Sequence, residues 1–570
     1  MSNWARDWVR SDAAAILLLA IISMASTVAA MARPDPVGWW EDDGIYIVTA
    51  KSMAEDHGYR LSHLPGEPWQ TKYPPLYSGI LALIWRAWPE FPANMLGVRA
   101  LNGILAFSSA WVFFLLARRD FGAPRWMAIL AGAIALASLH WRSLIGVAMS
   151  EHFYTFLCMS AILMASHRSR ADIGVLPTRF RGPDLLRAVL LGVLAAASAL
   201  TRIVGIALIA AVLCTLVRRR RWSSALVSGG VIGLVALFHG LFLADAARRN
   251  ANIAGSAAFD YDLAYGAWVP GEPSAIAWVI WNNVGEAPAS LLRMMFSLPR
   301  PLSGLAASSG PWSAAVLFGA LAMVGLILAG MVKTWGRGRE APHLFVLGSV
   351  GLALAWPFPP GRFLVPLFPF CVMWLLMGCA WLADLVIRFL GSEPSPQAAL
   401  NTRSRSGAVV AAVLGGFLLV RAVGVMIADP GAETARLLEQ ERAACVQMIA
   451  DNTPRRAVIA APHGPFYHLN TGRRLVPLFP ALDPIGEFYP ADRRWMSFGA
   501  GDTPGRAAAF ARLLDSRLIE YLRTAEATHL CLPRIDAGKP AAINRFLNEN
   551  NSRFAFIAET DGFRLWRISR

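Results

Sequence analysis

Residues 41–77 read EDDGIYIVTAKSMAEDHGYRLSHLPGEPWQTKYPPLY. This polar stretch follows the first long apolar run, 13–32, opens on the paired carboxylates Asp42 and Asp43, and closes on Lys72-Tyr73-Pro74-Pro75. Asp42 or Asp43 is placed as the N-cap of a short helix over 44–57, with Gly58 as its C-terminal stop. Pro75 starts a second helix over 75–88, ended by Pro89. Leu76, Ile80, Leu81 and Ile84 suit that helix to the membrane interface, with Trp85 and Trp88 near headgroup level.

Outward from this island the chain is apolar. Of its residues 55% are hydrophobic and 16% charged, with mean hydropathy +0.44. A soluble chain carries nearer about a quarter charged residues. Several runs reach the roughly 20 residues that cross about 30 Å of hydrocarbon. The net charge of +15 raises a nucleic-acid reading, but its distribution argues against one. Six short segments (1–12, 118–125, 167–187, 218–222, 333–340 and 388–405) hold twenty Lys and Arg against seven Asp and Glu. They alternate with acidic or neutral segments, so the basicity encodes topology and no nucleic-acid partner is expected.

The positive-inside pattern predicts eleven spans: 13–32, 95–117, 124–147, 152–166, two short helices within 188–217, 224–244, 312–332, 343–357, 363–387 and 407–427. The bend between the two short helices falls near Thr201-Arg202. The N-terminus is then cytoplasmic, and 33–94 and 245–310 are long external loops. The run 13–32 is too long for a cleavable signal peptide. Residues 1–428 form the membrane unit. In 429–570, strand-like runs (457–461, 529–532, 554–558, 563–568) alternate with helix-like ones (433–450, 505–523, 541–548), predicting a small external α/β domain. Four of the six cysteines lie in apolar helices; Cys445 and Cys531 fall in this domain, where a disulfide between them stays open.

Asp42, Asp43, Lys72, Glu151, Arg202 and Arg362 all fall near the external face, each close to a helix end. Ionisable groups at membrane level are functional candidates by default. Moving a sugar from a lipid phosphate to a hydroxyl needs a carboxylate to take the hydroxyl proton. It also needs cations to hold the charge developing on the leaving phosphate. Asp42, Asp43 and Glu151 meet the first need, and Lys72, Arg202 and Arg362 the second. Each has a plainer reading: the aspartates cap a helix, Glu151 favours a helix N-terminus, Lys72 snorkels, and Arg362 binds headgroups. His57, His63 and His152 show no ligand-type spacing; no metal ligand is assigned, and a divalent metal stays open.

The ordered set resembles the GT-C superfamily of polyprenyl-phosphate-sugar-dependent glycosyltransferases. The closest branch contains the protein O-mannosyltransferases and the transferases that add aminoarabinose to lipid A. The family's acidic first-loop motif matches Asp42-Asp43-Gly44-Ile45-Tyr46. Its Lys-Pro-Pro-Leu pattern matches Lys72-Tyr73-Pro74-Pro75-Leu76 with Tyr73 inserted. A second acidic position, usually Asp, is Glu151 here, and Arg362-Phe363-Leu364-Val365-Pro366 opens a late helix. Thr471-Gly472-Arg473-Arg474 resembles the soluble domain of many bacterial members. The resemblance implies a GT-C-like polytopic helical fold and inverting transfer of a sugar with Asp42 as base and Lys72 on the donor phosphate. Tyr46, Tyr73 and His152 are placed as substrate-binding residues. The expected setting is a bacterial inner membrane, with chemistry on the periplasmic face and a glycolipid, polysaccharide or protein acceptor. A transporter or flippase of a lipid-linked sugar is the alternative. A non-catalytic sensor or assembly protein is a third reading, under which Asp42 and Asp43 are replaceable.

Overall fold

The computed structural model describes residues 3–32, 37–38, 42–166, 182–253, 273–298, 311–336, 340–356, 359–390, 396–428, 432–477, 519–533, 547 and 550–569. Ten helices, α1–α10, follow in chain order: Asn3–Met31, Asp42–Ala54, Leu76–Ala87, Met95–Arg119, Arg125–Ala137, Leu139–Ile145, Glu151–Ser166, Gly182–Thr201, Ile206–Arg218 and Trp222–Asn250. Helices Pro273–Met295, Pro311–Thr334, Glu340–Ala355, Phe368–Leu390 and Pro396–Ala428 follow, with the four-residue helix Gly361–Leu364 before the fourth of them. The chain is a multi-pass membrane protein. Among the described residues seven helices are long and apolar enough to cross a membrane: Asp12–Met31, Met95–Arg119, Asp184–Thr201, Trp222–Asn250, Ala315–Thr334, Gly361–Ile387 and Ser406–Ala428. The pair α5–α6, bent by 58°, makes an eighth.

Among the described residues the expected count of eleven spans is not confirmed, for a geometric reason. At about 1.5 Å per residue, α7 with 16 residues, α9 with 13 and Glu340–Ala355 with 16 fall short of a hydrocarbon core. The run 124–147, read as one span, breaks at Ser138. The expected external loop 245–310 is also more ordered than its turn-rich composition suggested. Helix α10 runs on to Asn250, and Pro273–Met295 packs on Pro311–Thr334 and Glu340–Ala355. Trp281 in this segment is exposed, while Tyr261, Tyr265 and Trp268 lie outside the described residues.

The breaks matter because they bring polar side chains to one end of the bundle. Between α8 and α9, Arg202 is extended (φ −149°, ψ 136°) and a 3₁₀ turn, Ile203–Gly205, restarts the helix. Gly205 permits this reversal, since a Cβ there would stand 2.5 Å from the Ala199 nitrogen. Arg362 precedes a second 3₁₀ turn, Val365–Leu367, where Pro366 has no N–H to continue a helical ladder. The Trp141 indole on α6 donates to the Val365 carbonyl at 2.9 Å, tying the bent segment to that turn. Beneath lies the main core, centred on Trp141, Phe113, Phe345, Phe370 and Trp374.

Beyond Ala428 the chain folds around a five-stranded sheet: β1 (Val458–Ala460), β2 (Arg474–Val476), β3 (His529–Pro533), β4 (Phe554–Glu559) and β5 (Phe563–Ile568), in order β2-β1-β3-β5-β4. Pairs β1–β2 and β1–β3 are parallel; β3–β5 and β4–β5 are antiparallel. Helix Ala432–Asn452 covers one face, where Cys445, Ile459, Tyr467 and Leu475 form a core. Cys445 and Cys531 stand side by side there as free thiols, Sγ to Sγ 3.7 Å. Most of the helix-like runs 541–548 and 505–523 lies outside the described residues.

Candidate active site

Helix α2 begins at Asp42, two residues earlier than its apolar pattern suggested, so both aspartates sit in its first turn. Adjacent residues on a helix point about 100° apart, and the two carboxylates part company accordingly. Asp43 is fully buried and accepts from the Gly38 backbone N–H at 2.7 Å. Asp42 keeps 20% of its side chain exposed and faces the bundle. Its Oδ2 accepts from Arg362 Nη1 at 2.6 Å, and its Oδ1 accepts a short hydrogen bond from the Tyr73 hydroxyl.

Arg362 bridges two carboxylates. Its Nε donates to Glu151 Oε1 at 2.5 Å, and the same oxygen receives Arg202 Nη1 at 2.6 Å. Glu151 is the first residue of α7 and is fully buried, so it depends on these two guanidiniums for its solvation. Its second oxygen, Oε2, is buried with no hydrogen-bond partner among the described residues. Ser150 joins the network from the side: Arg202 Nη1 lies 3.2 Å from its hydroxyl, and the Tyr46 hydroxyl lies 3.2 Å from it. Tyr46, Tyr73 and Tyr77 form an aromatic wall, with Tyr46 centred 5.2 Å from Tyr73 and 5.1 Å from Tyr77. The Lys72 ammonium lies 5.1 Å over the Tyr73 ring, and Arg202 lies 5.7 Å over Phe363.

Charge follows from this geometry. Burial raises the Asp42 carboxyl, but the charges of Arg362 and Lys72 and the Tyr73 hydroxyl outweigh it and hold Asp42 below its ordinary value of 3.8. Asp42 is thus an ionised carboxylate at neutral pH. Burial pushes the Tyr46 hydroxyl up to about 12, so it stays a neutral donor.

Of the residues singled out from sequence, Asp42, Tyr46, Lys72, Tyr73, Glu151, Arg202 and Arg362 come together. Two turn away. Asp43 serves the Gly38 backbone, and His152 has Nε2 3.0 Å from the Trp141 carbonyl with its ring against the Trp141 indole. His152 is therefore tied into the bend behind the site rather than facing substrate. His57 is exposed, whereas His63 is buried, its ring 6.4 Å from His468. Burial and then His468 lower His63 to about 3, keeping it neutral. Among the described residues no three His, Cys, Asp or Glu side chains group as a metal site.

Two parts of the site had no reading of their own in the sequence. Ser150 lay in view beside Glu151, but a serine at a helix start reads as a cap. The other part is a clamp from the C-terminal sheet. His463 Nδ1 lies 3.1 Å from the Gly38 carbonyl, and Leu475 N–H donates to the His63 carbonyl at 2.8 Å. Arg474 pairs with Glu67 at 2.9 Å. Gly38, at φ +89°, is pressed so closely by Phe466 that a Cβ would stand 2.7 Å from the Phe466 Cβ. Over 400 residues separate these partners, and no local pattern could signal the pairing.

No family model and no curated protein matches this sequence. Solved structures do. ArnT from Cupriavidus metallidurans bound to undecaprenyl phosphate is 13% identical, with 98% of this chain and 98% of that chain covered and a TM-score of 0.56. The archaeal oligosaccharyltransferase AglB from Archaeoglobus fulgidus, in complex with an inhibitory peptide and a dolichol-phosphate, is 12% identical. That comparison covers 100% of this chain and 75% of AglB, with a TM-score of 0.56. The Archaeoglobus fulgidus oligosaccharyltransferase tethered to an acceptor peptide gives 13% identity, 99% and 75% coverage and a TM-score of 0.58. At these identities the likeness is one of architecture: the chain has a GT-C-like fold, a polytopic helical membrane bundle carrying a small C-terminal sheet.

Proposed function

We propose that this protein is an inverting glycosyltransferase that moves a sugar from a polyprenyl-phosphate donor to an acceptor hydroxyl, with Asp42 as general base. The observation that carries the reading is the network Asp42–Arg362–Glu151–Arg202, in which Asp42 is the carboxylate that is both ionised and partly open. That the similar structures hold undecaprenyl phosphate or dolichol-phosphate supports a lipid-phosphate donor.

The acceptor oxygen attacks the anomeric carbon from the face opposite the phosphate. The new C–O bond forms as the anomeric carbon–phosphate oxygen bond breaks, and its electron pair leaves on the phosphate. Asp42 takes the hydroxyl proton. A carboxylate offers about four lone-pair sites, so Asp42 can accept this proton while still bonded to Tyr73 and Arg362. The leaving phosphate needs cations rather than an acid, and Lys72, Arg202 and Arg362 supply them. Glu151 holds the two arginines in place, and Ser150 and Tyr46 support Arg202. Asp43 sets the start of α2 through Gly38. The products are a glycosylated acceptor and a polyprenyl phosphate.

In this reading residues 1–428 are the catalytic unit and 429–570 a periplasmic unit pressing on α2. The N-terminus is cytoplasmic and the membrane is a bacterial inner membrane. The acceptor is a glycolipid, polysaccharide or protein, and the sugar a hexose or pentose. The test is transfer by the purified protein in lipid, from radiolabelled polyprenyl-phosphate sugars to a membrane extract. Transfer from one donor, with release of the free lipid phosphate, is expected. Specific binding of a lipid-linked sugar with no turnover would favour a flippase instead.

A further inference from the structure

The C-terminal unit carries a pair of side chains that the proposed chemistry does not use. Helix Ala432–Asn452 turns Cys445, Met448 and Ile449 toward the sheet, since residues three and four apart on a helix share a face. In β3 the side chains alternate, so Leu530 and Leu532 enter one core while Cys531 enters the other, against the helix. Two independent periodicities therefore deliver one thiol each to the same place. Both cysteines are 0% exposed, and their sulfurs are in contact at 3.7 Å. The remaining cysteines belong to the helical bundle: Cys158 to α7, Cys214 to α9, and Cys371 and Cys379 to Phe368–Leu390.

We propose that Cys445 and Cys531 are oxidised to a disulfide in the mature protein, a modification site rather than two packing residues. The inference rests on the proposed periplasmic placement of 429–570, because disulfides form and persist in that compartment. Bonded sulfurs stand about 2.05 Å apart, so from the 3.7 Å contact each Sγ moves about 0.8 Å. The oxidant is itself a disulfide, that of a periplasmic dithiol–disulfide oxidoreductase. One cysteine thiolate attacks a sulfur of that disulfide, forming a mixed disulfide and releasing one thiolate of the oxidant. The other cysteine thiolate attacks the protein sulfur of the mixed disulfide, forming the Cys445–Cys531 bond and releasing the second. Two protons and two electrons leave the protein, and the oxidant ends as a dithiol. Because both sulfurs are buried in the folded unit, exchange precedes closure of the helix on the sheet. The bond joins positions 86 residues apart. Between them lie His463, Phe466, Arg474 and Leu475, the clamp on the region of α2. The cross-link thus braces the part of the sheet that presses on the proposed catalytic helix.

The test is peptide mapping by mass spectrometry of the full chain, purified from bacterial inner membranes without reductant, denatured in excess N-ethylmaleimide and digested. Cys445 and Cys531 should appear in one linked pair of peptides, two hydrogens lighter than the separate thiol peptides, while Cys158, Cys214, Cys371 and Cys379 carry maleimide. Reduction before blocking should place maleimide on all six cysteines. Dithiothreitol should lower the melting temperature of the wild type by on the order of 10 °C, the effect of opening a loop of this length, and leave a Cys445→Ala/Cys531→Ala variant unmoved. Maleimide on both Cys445 and Cys531 without reduction would overturn the proposal, as would a link from either to another cysteine. Maleimide labelling of Glu526→Cys in intact spheroplasts, measured separately, distinguishes the causes. Free thiols in a unit that labels from outside refute the disulfide alone. Free thiols in a unit that labels only after lysis refute it together with the periplasmic placement. None of these results depends on sugar transfer.

Discussion

Arg362 is the residue on which the site turns, because one planar guanidinium holds two carboxylates from different helices. A lysine keeps the charge but cannot span both, since its ammonium is a point charge without a fork. Arg362→Lys is therefore expected to lower kcat by on the order of a hundredfold and to destabilise the protein, since breaking a buried pair costs about 3–5 kcal/mol. Near-normal kcat in that variant would show that bridging is not required. Asp42 gives a second prediction. Its ionised form is the active one and its value is lowered, so activity persists on acidification until the pH falls below about 3.8. Lys72 is one of the charges that lower it, so Lys72→Gln is expected to move the acidic limb of kcat/KM upward. A limb that stays put would separate Lys72 from the base. The ionisable members of this network were legible in the sequence because charge near a membrane stands out against an apolar background. Ser150 was not, because its role depends on Arg202 arriving from a helix fifty residues on.

At the scale of elements, the site is made by interruptions. A straight span through 188–217 would leave Arg202 on a helix face; the break at Gly205 instead presents it to Glu151. Gly205→Ala places a Cβ against the Ala199 backbone. It is expected to cost about 1–3 kcal/mol by overpacking and to lower transfer severalfold, although Gly205 touches no proposed substrate atom. Unchanged melting temperature and activity would count against the break as a positioning device. The sequence displayed the bend near Thr201-Arg202, because basic residues at both ends of a 30-residue apolar run require a return. It did not display the bend at Ser138. An apolar run reads the same whether straight or broken, and what fixes the bend is the Trp141 bond to Val365 from far along the chain.

At the scale of the whole molecule, the sheet beyond Ala428 was visible as alternating strand-like and helix-like runs, while its docking was not. Its contacts reach the loop before α2 through His463 and Gly38, and Gly38 in turn donates to Asp43. The C-terminal part thus presses on the start of the proposed catalytic helix. Topology is testable with single cysteines placed at exposed Arg220 and Glu526 and an impermeant maleimide. Glu526→Cys is expected to label in intact spheroplasts and Arg220→Cys only after lysis. The reverse pattern would invert the orientation and move the proposed chemistry to the cytoplasmic face.

The central claim is that one of two adjacent aspartates does the chemistry. The most direct measurement is kcat for Asp42→Asn beside Asp43→Asn in the same sugar-transfer assay, with the melting temperature of each. The expected result is a loss of about 10²–10⁴ in kcat for Asp42→Asn with little change in melting temperature. Asp43→Asn should instead lower the melting temperature, by weakening the Gly38 bond, and retain much of its turnover. Full turnover in Asp42→Asn, or loss confined to Asp43→Asn, would contradict the account.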